Sequence, residues 1–511
     1  MTDRGRLQAG DVVAGVSVAM IAIPQTLAYA EIAGLPPQHG LYALALPAIL
    51  AAFFASSPYL QTGPVALTAL LAFGALSSLA EPFTSEYVAL AALLAFMVGL
   101  FRVVLGLVRM GKVAYLLSEP VLTGFTTGAA ILIVSSQLPK VFGATTGDRG
   151  VLAEAAIALA RVDRWSASAI AYATLTVIVV VVGRRMHSLF PGVLLAVALA
   201  TMISWMTDFD GAVVGAVDAS INSIDLSLPW GDAPSLIIGA FAIALVGFAE
   251  PSAIARMFAA ADRKPWNADR EMLSQGVANL TAGLVSGFPI GGSFSRSSLN
   301  RVAGAKTRMS GAITGAVVLL AIPLLPLLET LPTAVLGAIV ITAVAKLIRI
   351  DRLWELIGQS PAQAFVAIGT TVATLALSPR VEIGVLIGIG LAFGVHLYRE
   401  LAITIEASRV EHTLTVRPQG VLWFGTVPVI GRSIRAELAE HPDIEAVRID
   451  LSGVGRLDYS GAAELARIAD ELKSVGVTVT TANIPPSAIR SARIHLASYA
   501  SEATQEETRN V

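Results

Sequence analysis

Cysteine is absent from the 511-residue chain, which excludes disulfide frameworks, Cys-ligated zinc, iron–sulfur clusters and thiol nucleophiles, and leaves the redox compartment unread. Charge is scarce as well. Asp, Glu, Lys and Arg make up 14% of the residues, against roughly a quarter in ordinary soluble proteins. With a formal net charge of −2 and no basic block of about five or six Lys/Arg, the chain lacks the footprint of a nucleic-acid binder. Its histidines, His39, His187, His396, His412, His441 and His495, are scattered without metal-ligand spacing. There is no Walker A sequence and no Ser/His/Asp arrangement, so ATP-driven transport, hydrolysis and enzymatic catalysis in general lack support, and no cofactor is implied. What abounds is apolar: 55% of residues are hydrophobic and the mean hydropathy is +0.71, the signature of an integral membrane protein.

Charge is also uneven along the chain. From Ile405 to Val511 about 23% of residues are charged, against about 12% before it. The expected organisation is a membrane domain over residues 1–400, a soluble domain over 405–498 and a polar, disordered tail over 501–511. The apolar run from Val12 is too long for a signal-peptide core and is interrupted by Pro24, so the first segment is expected to stay in the membrane.

Segments of about 20 apolar residues centre near Ala22, Ala48, Ala72, Phe96, Ala129, Val177, Ala198, Ala244, Ala282, Asn300, Val318, Ile339, Gly369 and Ile389. The third and tenth of these fourteen are weak. With both termini in the cytoplasm, 17 loop Lys/Arg fall inside and five outside, a clear positive-inside bias. Asp208, Asp210, Asp218, Asp225 and Asp232 then share one external loop. Fourteen spans divide into two sevens. The first and eighth segments each carry a mid-span proline, Pro24 and Pro251, 227 residues apart, and the third and tenth open on Gly/Pro-broken stretches at Gly63 and Gly292, 229 apart. Two nearly equal offsets suggest duplication, and because seven is odd the halves have opposite topology.

Unwound backbone within a bilayer is tolerated only where it is buried in protein or lines a wet cavity. Two broken half-helices at matching positions therefore point to a binding site, and their facing N-termini, each with unpaired N–H groups and about half a positive charge, favour an anion. The second begins Gly292-Ser293-Phe294-Ser295-Arg296, adding hydroxyl donors and a guanidinium suited to bidentate oxyanion binding. A plainer reading makes Arg296 a cytoplasmic-edge arginine and the serines helix caps. Glu250 stands alone in a long apolar run, where a carboxylate must pair or take a proton; it is the candidate proton or cation coupling residue, against a purely structural pair at the Pro251 break. Gln25 and Tyr29, four apart beside Pro24, share one helical face and suit a cavity wall or packing between helices. Gly384, Gly388, Gly390 and Gly394 lie inside an apolar span with no preceding strand, so close helix packing is expected there rather than dinucleotide binding.

The C-terminal region alternates β-rich runs (Leu414 to Val416, Val421 to Phe424, Ala446 to Leu451, Val477 to Ala482) with helical ones (Pro428 to Glu440, Ser460 to Ser474, Pro486 to Ala497), a small α/β domain with a partly parallel sheet. In the loop from Asp450 to Gly461, Asp458 or Ser460 is expected to cap the following helix. A sharper reading makes the loop a phosphorylation or docking site.

Four ordered motifs carry a family resemblance across nearly the whole chain: Gly10-Asp11 through Leu41-Tyr42 with IPQTLAYAEIAGLPPQHGLYA, QTGPVAL from Gln61, FPIGGSFSRSSLNRVAGAKT from Phe288 and DLSGVGRLDYSG from Asp450. The chain resembles the SulP family of anion transporters, which carry a C-terminal STAS domain. The resemblance implies an all-α membrane fold of fourteen spans in a seven-plus-seven inverted repeat, with spans one to four and eight to eleven as a core domain moving against a gate. It implies an anion site on Gln25, Tyr29, Val65, Ala66 and Ser293, Phe294, Ser295 and Arg296, ion coupling by protons or sodium at Glu250, and a regulatory position at Ser460. A sodium-coupled bicarbonate pattern has a hydroxyl residue four positions after the acid; Ile254 stands there, which favours protons. Homodimers, and a cytoplasmic partner for the STAS domain, are also implied.

The expected function is secondary active transport of a small anion (sulfate, bicarbonate or a dicarboxylate) by proton symport with an elevator-like motion. The expected location is a bacterial inner membrane, on the strength of Arg over Lys (29 to 6) and an Ala-rich composition. The alternatives are a sodium-coupled bicarbonate symporter, an uncoupled anion exchanger or channel, a nucleobase symporter, and a signalling protein whose spans serve only as an anchor.

Overall fold

The computed structural model describes residues 7–116, 118–144, 147, 149–187, 190–217, 227–401, 403–484 and 489–499. Asp218, Asp225 and the expected tail over 501–511 lie outside these. The chain divides into two compact units, Met1–Ala392 and Phe393–Val511.

In the first half of the membrane unit, α1 (Ala9–Ile32), α2 (Gln38–Tyr42) and α3 (Ala45–Phe54) lead to a two-residue strand β1 (Thr62–Gly63). There follow α4 (Ala66–Leu76), α5 (Ser85–Leu107), α6 (Glu119–Phe142), α7 (Val151–Ala160), α8 (Ala167–Met186) and α9 (Gly192–Thr207). The second half repeats the plan. It runs α10 (Ala233–Ala261), α11 (Ala268–Leu284), strand β2 (Gly291–Gly292), α12 (Phe294–Val302), α13 (Met309–Ala321), α14 (Thr333–Val344), α15 (Ile350–Gln359), α16 (Pro361–Ala376) and α17 (Val381–Leu401). Each expected span centre lies within a helix. Among the described residues eight helices are long and apolar enough to cross a bilayer unaided, and others, such as Ala66–Leu76, are short. The short ones include the two half-helices α4 and α12, whose apolar runs are cut by the backbone that forms β1 and β2.

Packing sorts the membrane helices into two groups, one of α1, α3, α4, α5 and α10 to α13, the other of α6 to α9 and α14 to α16. Small residues allow the closest crossings. A side chain at Gly99 of α5 would lie 2.4 Å from the Leu280 backbone of α11, so only hydrogen lets these backbones meet. Gly384 and Gly388 abut Thr374 and Thr370 of α16, the helix packing expected there, whereas a side chain at Gly390 or Gly394 would meet no atom of the described residues within 4 Å.

The C-terminal unit is a five-stranded sheet with helices. β3 (Thr404–Val410) pairs antiparallel with β4 (Thr413–Leu422), which pairs in parallel with β5 (Ala446–Asp450) and with β6 (Val454–Leu457); β5 pairs in parallel with β7 (Thr478–Ala482). Helices α18 (Val427–Glu440), α19 (Tyr459–Ser474) and α20 (Ile489–His495) complete it, around a core that includes Val416, Ile434, Ile449, Leu465 and Ile468. Three details correct the sequence reading. The runs at Leu414 and Val421 are one strand, because Pro418 pairs across from Ile405 on the β3 side and interrupts nothing toward β5. The run from Thr404 is a strand despite its exposed face. The loop after Asp450 contains β6, whose Val454 and Leu457 are buried.

Candidate functional site

Residues Thr62 and Gly63 pair antiparallel with Gly292 and Gly291, so the entrances to the two half-helices are hydrogen-bonded to each other. The Ser293 N–H continues the ladder by donating to the Gln61 carbonyl at 3.0 Å, and the Gln61 N–H donates to Ser297 Oγ at 2.9 Å. Helix α4 starts after Val65, which has extended backbone and no side-chain cap, and α12 starts after Ser293, whose hydroxyl accepts from the Arg296 N–H at 3.4 Å. The capping reading of Ser293 is therefore correct for its acceptor oxygen. Its hydroxyl also lies 3.3 Å from that of Ser295. The half-helix begins at Phe294, two residues later than the Gly292 of the sequence reading, because Gly291 and Gly292 are spent on the strand pair.

Arg296 is only 1% exposed, which excludes an edge arginine snorkelling to water. Its Nη2 donates to the Pro64 carbonyl at 2.6 Å, tying α12 to the entrance of α4, while Nε and Nη1 are buried without hydrogen-bond partners among the described residues. Buried guanidinium N–H groups left unpaired are costly unless a ligand completes them. Gln25 and Tyr29 are buried on α1, and Val65 and Ala66 are buried at the start of α4, whereas Phe294 and Ser295 are exposed. The Arg296 guanidinium interacts electrostatically with both Tyr29 and Glu250, and the Phe294 N–H lies near the Glu250 carboxyl group. Thus α1, α10 and α12 bring Tyr29, Glu250 and Arg296 within electrostatic reach of one another, the start of α4 is tied to them through the Pro64 carbonyl, and Glu250 lies near the positive end of α12. Gly292 lies against Pro251: a side chain there would come within 3.1 Å of the proline ring, so α10, which runs unbroken through Pro251 where the sequence suggested a break, seats the strand pair directly.

Sequence reading missed three supports. Arg102, fully buried on α5, donates from Nε to Ala244, from Nη2 to Ile243 and from Nη1 to Ile290, at 3.1, 3.1 and 2.9 Å. It clamps the strand entering α12 onto α10, and a side chain at Gly247 would strike its Nη2 at 2.5 Å. Asn279 brackets Ile290 from α11 like a neighbouring strand, accepting its N–H at 2.9 Å and donating to its carbonyl at 3.1 Å. Gln275 donates to Thr62 Oγ1 at 2.6 Å. An arginine inside the apolar run of α5 was the available signal.

Ser460 lies in the first turn of α19, where Asp458 is the cap: its carboxylate accepts from the Gly461 N–H at 2.6 Å and from the Ser460 hydroxyl at 3.0 Å. The first turn is thus already furnished with a negative charge, beside which Ser460 is half-buried.

The comparisons agree with this architecture. Residues 9–370 match the model of the sulfate permease family, and residues 404–502 match the STAS domain. The chain is 30% identical to probable sulfate transporter 4.2 of Arabidopsis thaliana, over 93% of this chain and 76% of that one. It is 35% identical to probable sulfate transporter MT1781 of Mycobacterium tuberculosis, over 77% and 70%. In fold it resembles the murine Solute Carrier 26 family member A9 anion transporter in the inward-facing state, with a TM-score of 0.88 at 20% identity, covering 99% and 93% of the two chains. It also resembles the transmembrane domain of the cyanobacterial bicarbonate transporter BicA, with a TM-score of 0.64 at 24% identity, covering 75% and 96%. The chain belongs to the sulfate permease family of multi-pass anion transporters and carries a C-terminal STAS domain.

Proposed function

We propose that this chain is a secondary active transporter of a small oxyanion or carboxylate (sulfate, bicarbonate or a dicarboxylate), driven by proton symport across a bacterial inner membrane. One observation carries the reading: two half-helix N-termini laced together around a buried arginine with two unpaired donor atoms. Helix-terminal N–H groups and a guanidinium supply directional donors and positive potential, which suit a compact anion. Gln25, Tyr29, Val65, Ala66 and Ser293 to Arg296 form its wall.

Glu250 gives the coupling a physical basis. Its carboxylate competes for the positive end of α12 through the Phe294 N–H, so a proton on Glu250 removes the competing charge when the anion arrives. Proton and anion then enter together. Ile254, four residues on, is buried with Leu60 and Phe258 and offers no oxygen to a sodium ion. The group containing α1, α4, α10 and α12 acts as the moving core against the gate, residues 1–400 do the transport, and the STAS domain over 405–498 regulates it in the cytoplasm through Ser460 or a protein partner, within a homodimer.

The test is uptake of labelled sulfate, bicarbonate and fumarate into liposomes with an inward proton gradient, an inward sodium gradient or neither. One anion is expected to accumulate only with the proton gradient. Glu250→Gln is expected to bind that anion but lose gradient-driven uptake, and Arg296→Ala to weaken binding by about ten- to hundredfold, the worth of a charge-assisted hydrogen bond or two. Proton-driven uptake retained in Glu250→Gln would end the coupling assignment, and unchanged binding in Arg296→Ala would remove the arginine from the site.

A further inference from the structure

A cavity of about 580 Å³ opens beyond the anion site, on the face formed by the start of α1, the loop before β1 and the loops after α10 and α12. This volume is that of a small-molecule site. Lys264, Arg270, Lys306 and Arg308 line it together with Trp266. The arginines are tethered to the last turn of α3, Arg270 Nε to the Phe54 carbonyl at 2.9 Å and Arg308 Nη1 to the Ala55 carbonyl at 3.0 Å. Arg308 Nε is buried and unpaired. The nearby carboxylates are already engaged. Asp262 is paired with Arg301 and accepts from the Tyr59 hydroxyl. Asp11 accepts from the Lys306 and Thr307 N–H groups. Glu271 accepts from Ser56, Ser57 and Trp266 through Oε2, with Arg270 nearby, while its Oε1 is buried without a hydrogen-bond partner among the described residues. Among the described residues none of the four lining cations forms an ion pair with a carboxylate.

No residue lining this cavity is among those of the candidate anion site. Leu60, Ile254 and Phe258 pack with Tyr59 into an apolar plug, whose Tyr59 and Phe258 line the cavity and whose Leu60 lies against Gly292, and Arg301 covers the Tyr59 and Phe258 rings at 5.4 and 5.3 Å. A hydrated anion in transit gains nothing from that plug, whereas a ligand held in the cavity would press on Tyr59 and Leu60, which run straight into β1. Four converging cations beside an indole fit a multiply charged phosphate attached to an organic body. We infer that the cavity is a regulatory site for an organic phosphate, its phosphoryl groups held by Lys264, Arg270, Lys306 and Arg308 and its body against Trp266. The same chemistry is offered by a free nucleotide and by a phosphorylated lipid headgroup.

The test uses the full chain in nanodiscs and reads tryptophan fluorescence. In one arm ATP is added to phosphatidylcholine discs; in the other the discs contain phosphatidylinositol 4-phosphate. A saturable change with ATP identifies a free phosphate as the source, and a change only with the phosphorylated lipid identifies the headgroup. Either supports the site if the change disappears in Trp266→Phe and the affinity falls at least about tenfold in Lys264→Gln/Lys306→Gln, the cost of one charge-assisted bond or more. Both lysines are exposed, so the fold tolerates this pair. No response in either arm, or equal affinity in the lysine variant, overturns the inference.

Discussion

A single buried arginine can serve two ends, and here two arginines divide them. Arg296 keeps part of its guanidinium unpaired, whereas all three nitrogens of Arg102 donate to carbonyls. In the proposed site the first receives the ligand, whereas the second holds backbone. Arg102→Met should therefore loosen the strand entering α12 rather than remove a ligand contact. The apparent KM for the transported anion is expected to rise about tenfold, with Arg102→Lys intermediate because it keeps the charge but only a point donor. Concentration-dependent uptake, normalised to folded protein, checks this; an unchanged KM in Arg102→Met would leave Arg102 with no positioning role. At this scale the sequence singled out ionisable residues against an apolar background, Glu250 and Arg296, and the fold places the two in electrostatic contact. It was not legible for Gln275 and Asn279, since polar residues on a helix announce no partner until the tertiary fold brings Thr62 and Ile290 to them.

Among elements, the half-helices were readable because Gly and Pro break apolar runs, but their pairing through β1 and β2 was not, since two-residue strands carry no periodicity. The C-terminal sheet shows the same limit at Pro418 and in β6. Its core depends on Asp450, at the end of β5, which accepts from Arg417 Nε and Nη2 at 3.0 and 2.9 Å, from Asn483 at 2.9 Å and from the Ser452 N–H at 3.0 Å. Desolvation pushes this carboxyl group up, but the bonds from Asn483, Ser452 and Arg417 outweigh it and hold Asp450 well below the usual carboxylate range. A carboxyl group depressed in the folded state contributes stability that is fully present above its unfolded value, about 3.9, and is lost as pH falls below it toward the folded value. Urea unfolding of a fragment over 403–499 should show the midpoint dropping as pH falls from about 4 to about 2. Asp450→Asn should cost about 2 kcal/mol at pH 7 and flatten that part of the profile. A profile identical to that of the parent fragment would show that other carboxylates govern it.

For the whole molecule, every residue of the candidate anion site belongs to the unit Met1–Ala392. A chain ending at residue 401 is expected to retain binding of the transported anion, and to lose it again on Arg296→Ala, as measured with labelled anion in detergent. Loss of all binding on truncation would favour the signalling alternative, in which the spans only anchor the C-terminal unit. The overall plan was legible because duplication leaves paired offsets, 227 and 229 residues, that survive in sequence. The cavity over Trp266 was not, because its cations come from loops far apart in the chain and each alone looks like ordinary inside-facing charge.

The strand pair joining Thr62 and Gly63 to Gly292 and Gly291 has a pharmacological consequence. If the core moves as proposed, the backbone hydrogen bonds that join the two half-helix entrances should keep the candidate pocket in one shape whichever side of the membrane it faces. A compound that mimics the anion should then inhibit with the same intrinsic affinity from either side, and a side-selective inhibitor would have to bind the path to the pocket instead.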